Sequence, residues 1–262
     1  MTIPLYQIDA FAEEIFQGNP AAVCPLREWL ADERMQAIAA ENNLSETAFF
    51  VPGKKPGDYD LRWFTPAAEI DLCGHATLAS AYLIMSRLAP DLDVVRFSTL
   101  SGTLEVRREG ELLALVFPAR PPDAYDPAPG LVEALGVEPE GMGASRRDVM
   151  AVYGDEATVR AMAPDLRLLA AIDRQGVIVT APGDECDFVS RFFAPALGVD
   201  EDPVTGSAHC TLIPYWAERL GKTELHARQI SARGGELTCR AMGERVGIAG
   251  RARLYMEGTI AL

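Results

Sequence analysis

The chain is short of positive charge and lacks the sequence marks of a bound nucleotide. Lysine and arginine number 24 against 38 aspartates and glutamates, giving a formal net charge of −14 and a pI near 4.7. A surface this acidic argues against nucleic acid and against anionic membranes as partners. No Gly-x-Gly-x-x-Gly and no phosphate-loop sequence occurs, so no nucleotide cofactor is implied. No apolar run approaches the roughly 20 residues needed to span a bilayer. Cys24, Cys73, Cys186, Cys210 and Cys239 are scattered, odd in number and without a Cys-x-x-Cys pair, which excludes a disulfide framework and fits a reducing compartment. The stretch from Met1 to Asp9 has neither a basic start nor a long apolar core, so no signal peptide and a cytoplasmic location are expected.

What is present is a repeat. Arg62-Trp63-Phe64-Thr65-Pro66, Glu69 and Cys73-Gly74-His75-Ala76 are echoed by Arg191-Phe192-Phe193-Ala194-Pro195, Glu201 and Thr205-Gly206-Ser207-Ala208. Each glutamate stands five residues before its glycine, and an apolar, helix-like run follows each time. A chain of 262 residues is long for one compact core and comfortable for two. Five prolines between Pro118 and Pro129 make a stiff connector, and the boundary is placed there, with domains 1–117 and 118–252. Short strands interleave with helices expected over Glu28–Ala40, Gly74–Leu88, Gly130–Leu135, Asp155–Met162 and Ser207–Leu220, the last interrupted by Pro214. The Gly74 run is apolar nearly all round, as in a helix buried on every side. The pattern reads as α+β in two domains, each a set of strands curled about its own helix.

Two matching helix starts are two sets of free N–H groups, each able to take an anion. Glycine there allows unusual dihedrals and close approach of a ligand. Either start alone reads as an ordinary cap; the duplication is what favours a ligand. Glu46 opens a strongly apolar strand, where a carboxylate suits proton transfer, although a surface strand position is the plainer reading. His75 is matched by Ser207 across the repeat, and Asp202 by Ile70, so the two copies differ in their polar groups. Ser207 lies outside any Gly-x-Ser-x-Gly elbow, which excludes a hydrolase nucleophile of that type. Cys73 with His75 and His209 with Cys210 fit no zinc spacing, so no metal site is expected and cofactor-free chemistry leads by elimination.

Asn43-Leu44-Ser45-Glu46-Thr47-Ala48-Phe49, Asp71-Leu72-Cys73-Gly74-His75-Ala76-Thr77 and Asp202-Pro203-Val204-Thr205-Gly206-Ser207-Ala208-His209 resemble the three signature segments of the PhzF-like family, and Gln17-Gly18-Asn19-Pro20-Ala21-Ala22-Val23 also fits. The resemblance implies a diaminopimelate-epimerase-like fold: two pseudo-symmetric β-barrels, each around a central helix, an active-site cleft between them, and a final strand, 253–262, returning to the first domain. It implies a cofactor-independent isomerase acting on a small carboxylate, an amino or an aromatic or cyclic acid, in a homodimer. Glu46 would shuttle the proton. His75, Asp202 and Ser207 would hold the substrate and assist, and the N–H groups about Gly74, Ala76, Gly206 and Ala208 would bind the carboxylate. Related amino-acid epimerases place a cysteine before each glycine turn; Cys73 fills one place here and Thr205 the other, which disfavours a two-thiol racemase and leaves Cys73 as a packed residue. An epimerase with a non-cysteine base, and a binding module on the same fold, are the alternatives.

Overall fold

The structure is a computed structural model and describes residues 2–262. It separates into two compact units, 1–116 with 249–262, and 117–248.

The first unit opens with β1 (Thr2–Ala10), β2 (Asn19–Pro25), the helix α1 (Asp32–Asn42), β3 (Glu46–Pro52), β4 (Asp58–Phe64) and the short β5 (Glu69–Ile70). The helix α2 (Gly74–Leu83) follows and widens into a π-helical turn over Ile84–Leu88. Then come β6 (Val94–Thr99), β7 (Gly102–Glu109) and β8 (Leu112–Pro118). β1 pairs antiparallel with β2, β2 parallel with β3, β3 antiparallel with β4, β4 parallel with β6, and β6 antiparallel with β7. The strands wrap α2, whose residues from His75 to Ala81 and Leu83 are buried. A helix with no polar face is stable only inside such a wrap. α1 packs outside, its Met35, Ile38 and Ala39 joining Cys24, Phe49 and Phe64 in a second core.

The second unit holds β9 (Asp123–Ala124), α3 (Leu131–Leu135), β10 (Gly141–Ala144), β11 (Asp148–Val152), α4 (Glu156–Ala161), α5 (Leu166–Leu169), β12 (Gly176–Pro182) and β13 (Phe188–Phe193). It continues with α6 (Gly206–Leu220), β14 (Glu224–Gln229), β15 (Gly235–Met242) and β16 (Arg245–Gly250). From β10 to β15 the pairings run antiparallel, parallel, antiparallel, parallel, antiparallel, the same series as in the first unit. α6 is the counterpart of α2, and its Trp216 stacks on Phe188 at 5.7 Å while its indole N–H donates to Thr180 Oγ1 at 2.9 Å. Helices α3 to α5 cover a separate core built on Val149, Val177, Val179 and Phe193.

The last strand, β17 (Ala252–Ala261), belongs to the first unit and pairs antiparallel with β1 from Thr2↔Ala261 to Ala10↔Ala252. No helix among the described residues is long and apolar enough to cross a membrane.

The repeat is visible atom by atom. Arg62 grips Glu69 with Nε on Oε1 at 2.7 Å and a terminal nitrogen on Oε2 at 2.7 Å. Arg191 grips Glu201 in the same way, at 2.7 and 3.0 Å. Each guanidinium also lies over the phenylalanine two residues on, Phe64 at 5.2 Å and Phe193 at 4.9 Å. A two-pronged arginine–carboxylate pair has one good geometry, so it sets the path of the segment that leads into the glycine turn.

Candidate active site

In the first unit Asn19 begins β2 and Glu46 begins β3, beside Ala21 of β2 in the parallel register. The first turn of α2 reaches the same place. Gly18, with φ of +67°, lets the chain enter β2; a Cβ there would meet the Ala10 carbonyl oxygen at 2.2 Å. Asn19 is fully buried, and its side-chain nitrogen lies 3.3 Å from Nδ1 of His75. On the other side of the ring, Nε2 lies 3.0 Å from Oε2 of Glu46. That oxygen is buried and has no aligned hydrogen bond, so the contact is a close charge pair made off the ring's N–H direction. The Glu46 side chain is 16% exposed, which corrects the plainer surface reading.

Cys73 completes the cluster. Its Sγ lies 3.5 Å from Nδ1 of His75. Burial pushes the thiol up to about 11, so at neutral pH it is uncharged. Burial also works against a charged His75, but its contacts with Cys73 and Glu46 outweigh burial and hold the imidazole well above its ordinary value. A charged ring donates from both nitrogens, so Asn19 would then turn its carbonyl oxygen to Nδ1.

Glu46, Cys73 and His75 bring one donor atom each within 4.8 Å of one another. Chain spacing alone did not suggest this set, because its third member comes from β3.

Both helix starts lack a side-chain cap: Cys73 before Gly74, and Thr205 before Gly206, are extended N-cap residues whose side chains make no cap hydrogen bond. Their first-turn N–H groups are the kind that take an anion. Gly74 and Gly206 are not among the glycines with positive φ, which corrects the expectation of unusual dihedrals. They are ordinary first helical residues, and what they contribute is an absent side chain. Ala76 is buried in α2 and Ala208 in α6.

In the second unit the Thr205 hydroxyl donates to Oδ2 of Asp202. The Thr205 N–H donates to Oε1 of Gln229 at 2.8 Å, and the carboxamide nitrogen of Gln229 donates to the Asp202 carbonyl at 2.7 Å. Ser207 is half-buried on the first turn of α6. His209, one turn into the helix, donates Nδ1–H to the Thr205 carbonyl at 2.8 Å, and burial lowers its pKa to about 4, so it is neutral.

The structure thus joins Glu46 to His75 and sets Asp202 three residues before the Thr205 cap that it touches. Sequence reasoning missed Asn19 and Gln229. The Gly18-Asn19-Pro20 turn carried a signal for the first. Nothing local marks the second, which acts 24 residues from Thr205.

Such an architecture, two like units each with a helix inside its strands, recurs among solved epimerase structures. A hydroxyproline epimerase from Agrobacterium vitis, solved with bound trans-4-hydroxy-L-proline, shares it at a TM-score of 0.61 and 12% identity, over 100% of this chain and 93% of that one. That likeness is one of fold alone. Closer relatives fix the family. Residues 8–258 match the PhzC-PhzF family, described as phenazine biosynthesis-like protein, and the chain belongs to it. An uncharacterized isomerase of Pseudomonas aeruginosa is 56% identical over 262 residues, all of both chains. The crystal structure of a PhzF-family protein from Enterococcus faecalis superimposes at a TM-score of 0.97 with 49% identity, again over 100% of each chain.

Proposed function

We propose that the chain is an isomerase that moves a proton between carbons of a small carboxylate-bearing substrate, an amino or a cyclic acid, using its own side chains. The observation that carries this reading is the pair Glu46 and His75: a carboxylate oxygen, buried and without an aligned hydrogen bond, 3.0 Å from an imidazole beside an uncapped helix start. Such an oxygen is placed to accept a proton.

In this reading the Glu46 carboxylate removes a proton from a carbon next to a conjugating group. The electron pair of that C–H bond passes into the conjugated system. First-turn N–H groups at Gly74 and Ala76 hold the substrate's anionic end and steady the added charge. Glu46, now a neutral acid whose proton exchanges with solvent, delivers a proton to a second carbon, so the carboxylate is regenerated and atoms and electrons balance. In the second unit we assign Asp202 and Ser207 to the substrate's amino or hydroxyl groups, and the N–H groups at Gly206 and Ala208 to an anionic group.

The test is deuterium uptake by a panel of amino and cyclic carboxylic acids in heavy water, followed by proton NMR. Glu46→Gln keeps the shape and removes the titratable group. Loss of about 10²- to 10⁴-fold in exchange rate is expected. Exchange at the wild-type rate in that variant overturns the assignment.

A further inference from the structure

The two units share one tie at the segment before each glycine turn and differ in a second. Ser101 Oγ donates to the Asp71 carbonyl at 2.8 Å, and Ser231 Oγ donates to the Pro203 carbonyl at 2.8 Å. Asp71 and Pro203 each stand three residues before their glycine, so this is one bond made twice. Two residues before each serine the likeness ends. Thr99 turns away and donates to the Gly102 carbonyl at 2.7 Å. Gln229, at the matching place, reaches into the turn and is 1% exposed.

Gln229 makes three bonds there. Its Oε1 accepts the Thr205 N–H at 2.8 Å. Its Nε2 donates to the Asp202 carbonyl at 2.7 Å and to Thr205 Oγ1 at 3.1 Å. The last bond decides the direction of the next. A threonine hydroxyl has one hydrogen, and when an amide N–H occupies its acceptor side that hydrogen must point elsewhere. Here it points to Oδ2 of Asp202. A chain of donors, Gln229 to Thr205 to the Asp202 carboxylate, is thereby fixed in one sense, and each bond polarises the next. A symmetric turn would need only the serine tie. The extra latch occurs where the repeat also carries Asp202 in place of Ile70.

We infer that Gln229 is a positioning residue: through Thr205 it holds the Asp202 carboxylate oriented to receive the donor group, an ammonium or a hydroxyl, of the substrate. The inference rests on the reading of Asp202 as a substrate-holding residue, and its two parts are tested separately.

The carboxyl carbon of Asp202 is followed by ¹³C NMR across pH in the wild type, Gln229→Leu, Thr205→Val and the double variant, with the fold of each checked by circular dichroism. Either single change should raise the titration midpoint by about one unit, because each removes the directed donor from the carboxylate. The double variant should shift no further than either single one, since both act on one chain. An unmoved midpoint in folded Gln229→Leu, or shifts that add, overturns the inference. Should Gln229→Leu not fold, Thr205→Val probes the chain from its other end, and an unmoved midpoint there overturns it equally. Deuterium exchange is measured in parallel. For a panel acid that the wild type exchanges, Gln229→Leu should raise KM more than it lowers kcat. Wild-type exchange in Asp202→Asn would instead remove the substrate role of Asp202 and leave the NMR result standing as a latch alone.

Discussion

Arg191 holds Glu201 by both carboxylate oxygens and has a third commitment that Arg62 lacks: it also donates to the carbonyls of Met162 at 2.6 Å and Val159 at 3.2 Å. Arg62 spends its spare nitrogen on the exposed Asp32. Removing Arg191 therefore strands a half-buried carboxylate and two carbonyls, whereas removing Arg62 strands one half-buried carboxylate. Arg191→Met should cost about 3–4 kcal/mol and Arg62→Met about 1–2 kcal/mol. Urea unfolding of the two variants measures the difference, and equal losses would refute the ranking.

His75 ties stability to pH. Its folded pKa lies above the ordinary value, so the folded chain binds the proton more tightly than the unfolded chain does. The stabilisation is complete below the unfolded value of about 6.5 and disappears as pH rises through the folded one. His75→Gln removes this contribution. The gap in stability between wild type and variant should shrink as pH climbs from about 6 into the alkaline range. Urea unfolding at stepped pH reads the gap directly, and a gap that widens with pH would reverse the sign argued here.

Cys73 stands next to the charged pair yet should be chemically quiet. Burial pushes its thiol up to about 11, and the reactive species is the thiolate. Iodoacetamide at neutral pH should leave Cys73 unmodified in the folded protein and label it in urea, as read by peptide mass spectrometry. Cys73→Ala should keep deuterium exchange within about tenfold of wild type, against the far larger loss expected for Glu46→Gln. Prompt labelling of the native thiol would return the two-cysteine type of racemisation to consideration.

Much of the architecture could be read from the repeat. Arg62 with Glu69 and Arg191 with Glu201 marked two like units, and the first buried helix begins at Gly74 as the pattern put it, while its counterpart begins at Gly206, one residue before the expected Ser207. Other edges moved. The helix expected from Glu28 starts at Asp32, because Trp29 and Leu30 pack against the core from the approach segment and only mimic a helical stripe. The α-helix after Gly74 ends at Leu83, and its wider last turn leaves no trace in an all-apolar run. The strand Gly141–Ala144 was missed because Gly-Met-Gly-Ala has no alternation to find, and the two-residue strand Asp123–Ala124 hid inside the proline connector. Site contacts depend on strand register between distant residues. Asn19 reaches His75 across 56 positions, and no local periodicity encodes that.

β17 supplies β1 with a partner along nearly its whole length, yet every residue of the unit 117–248 lies between them in the chain. On a ribosome, the contiguous unit is fully synthesised before that strand exists. The first unit must therefore wait, one flank of β1 bare, while its neighbour is already free to fold. An unpaired strand edge invites strange company, so the acidic coat that keeps chains apart protects this protein most during its own birth.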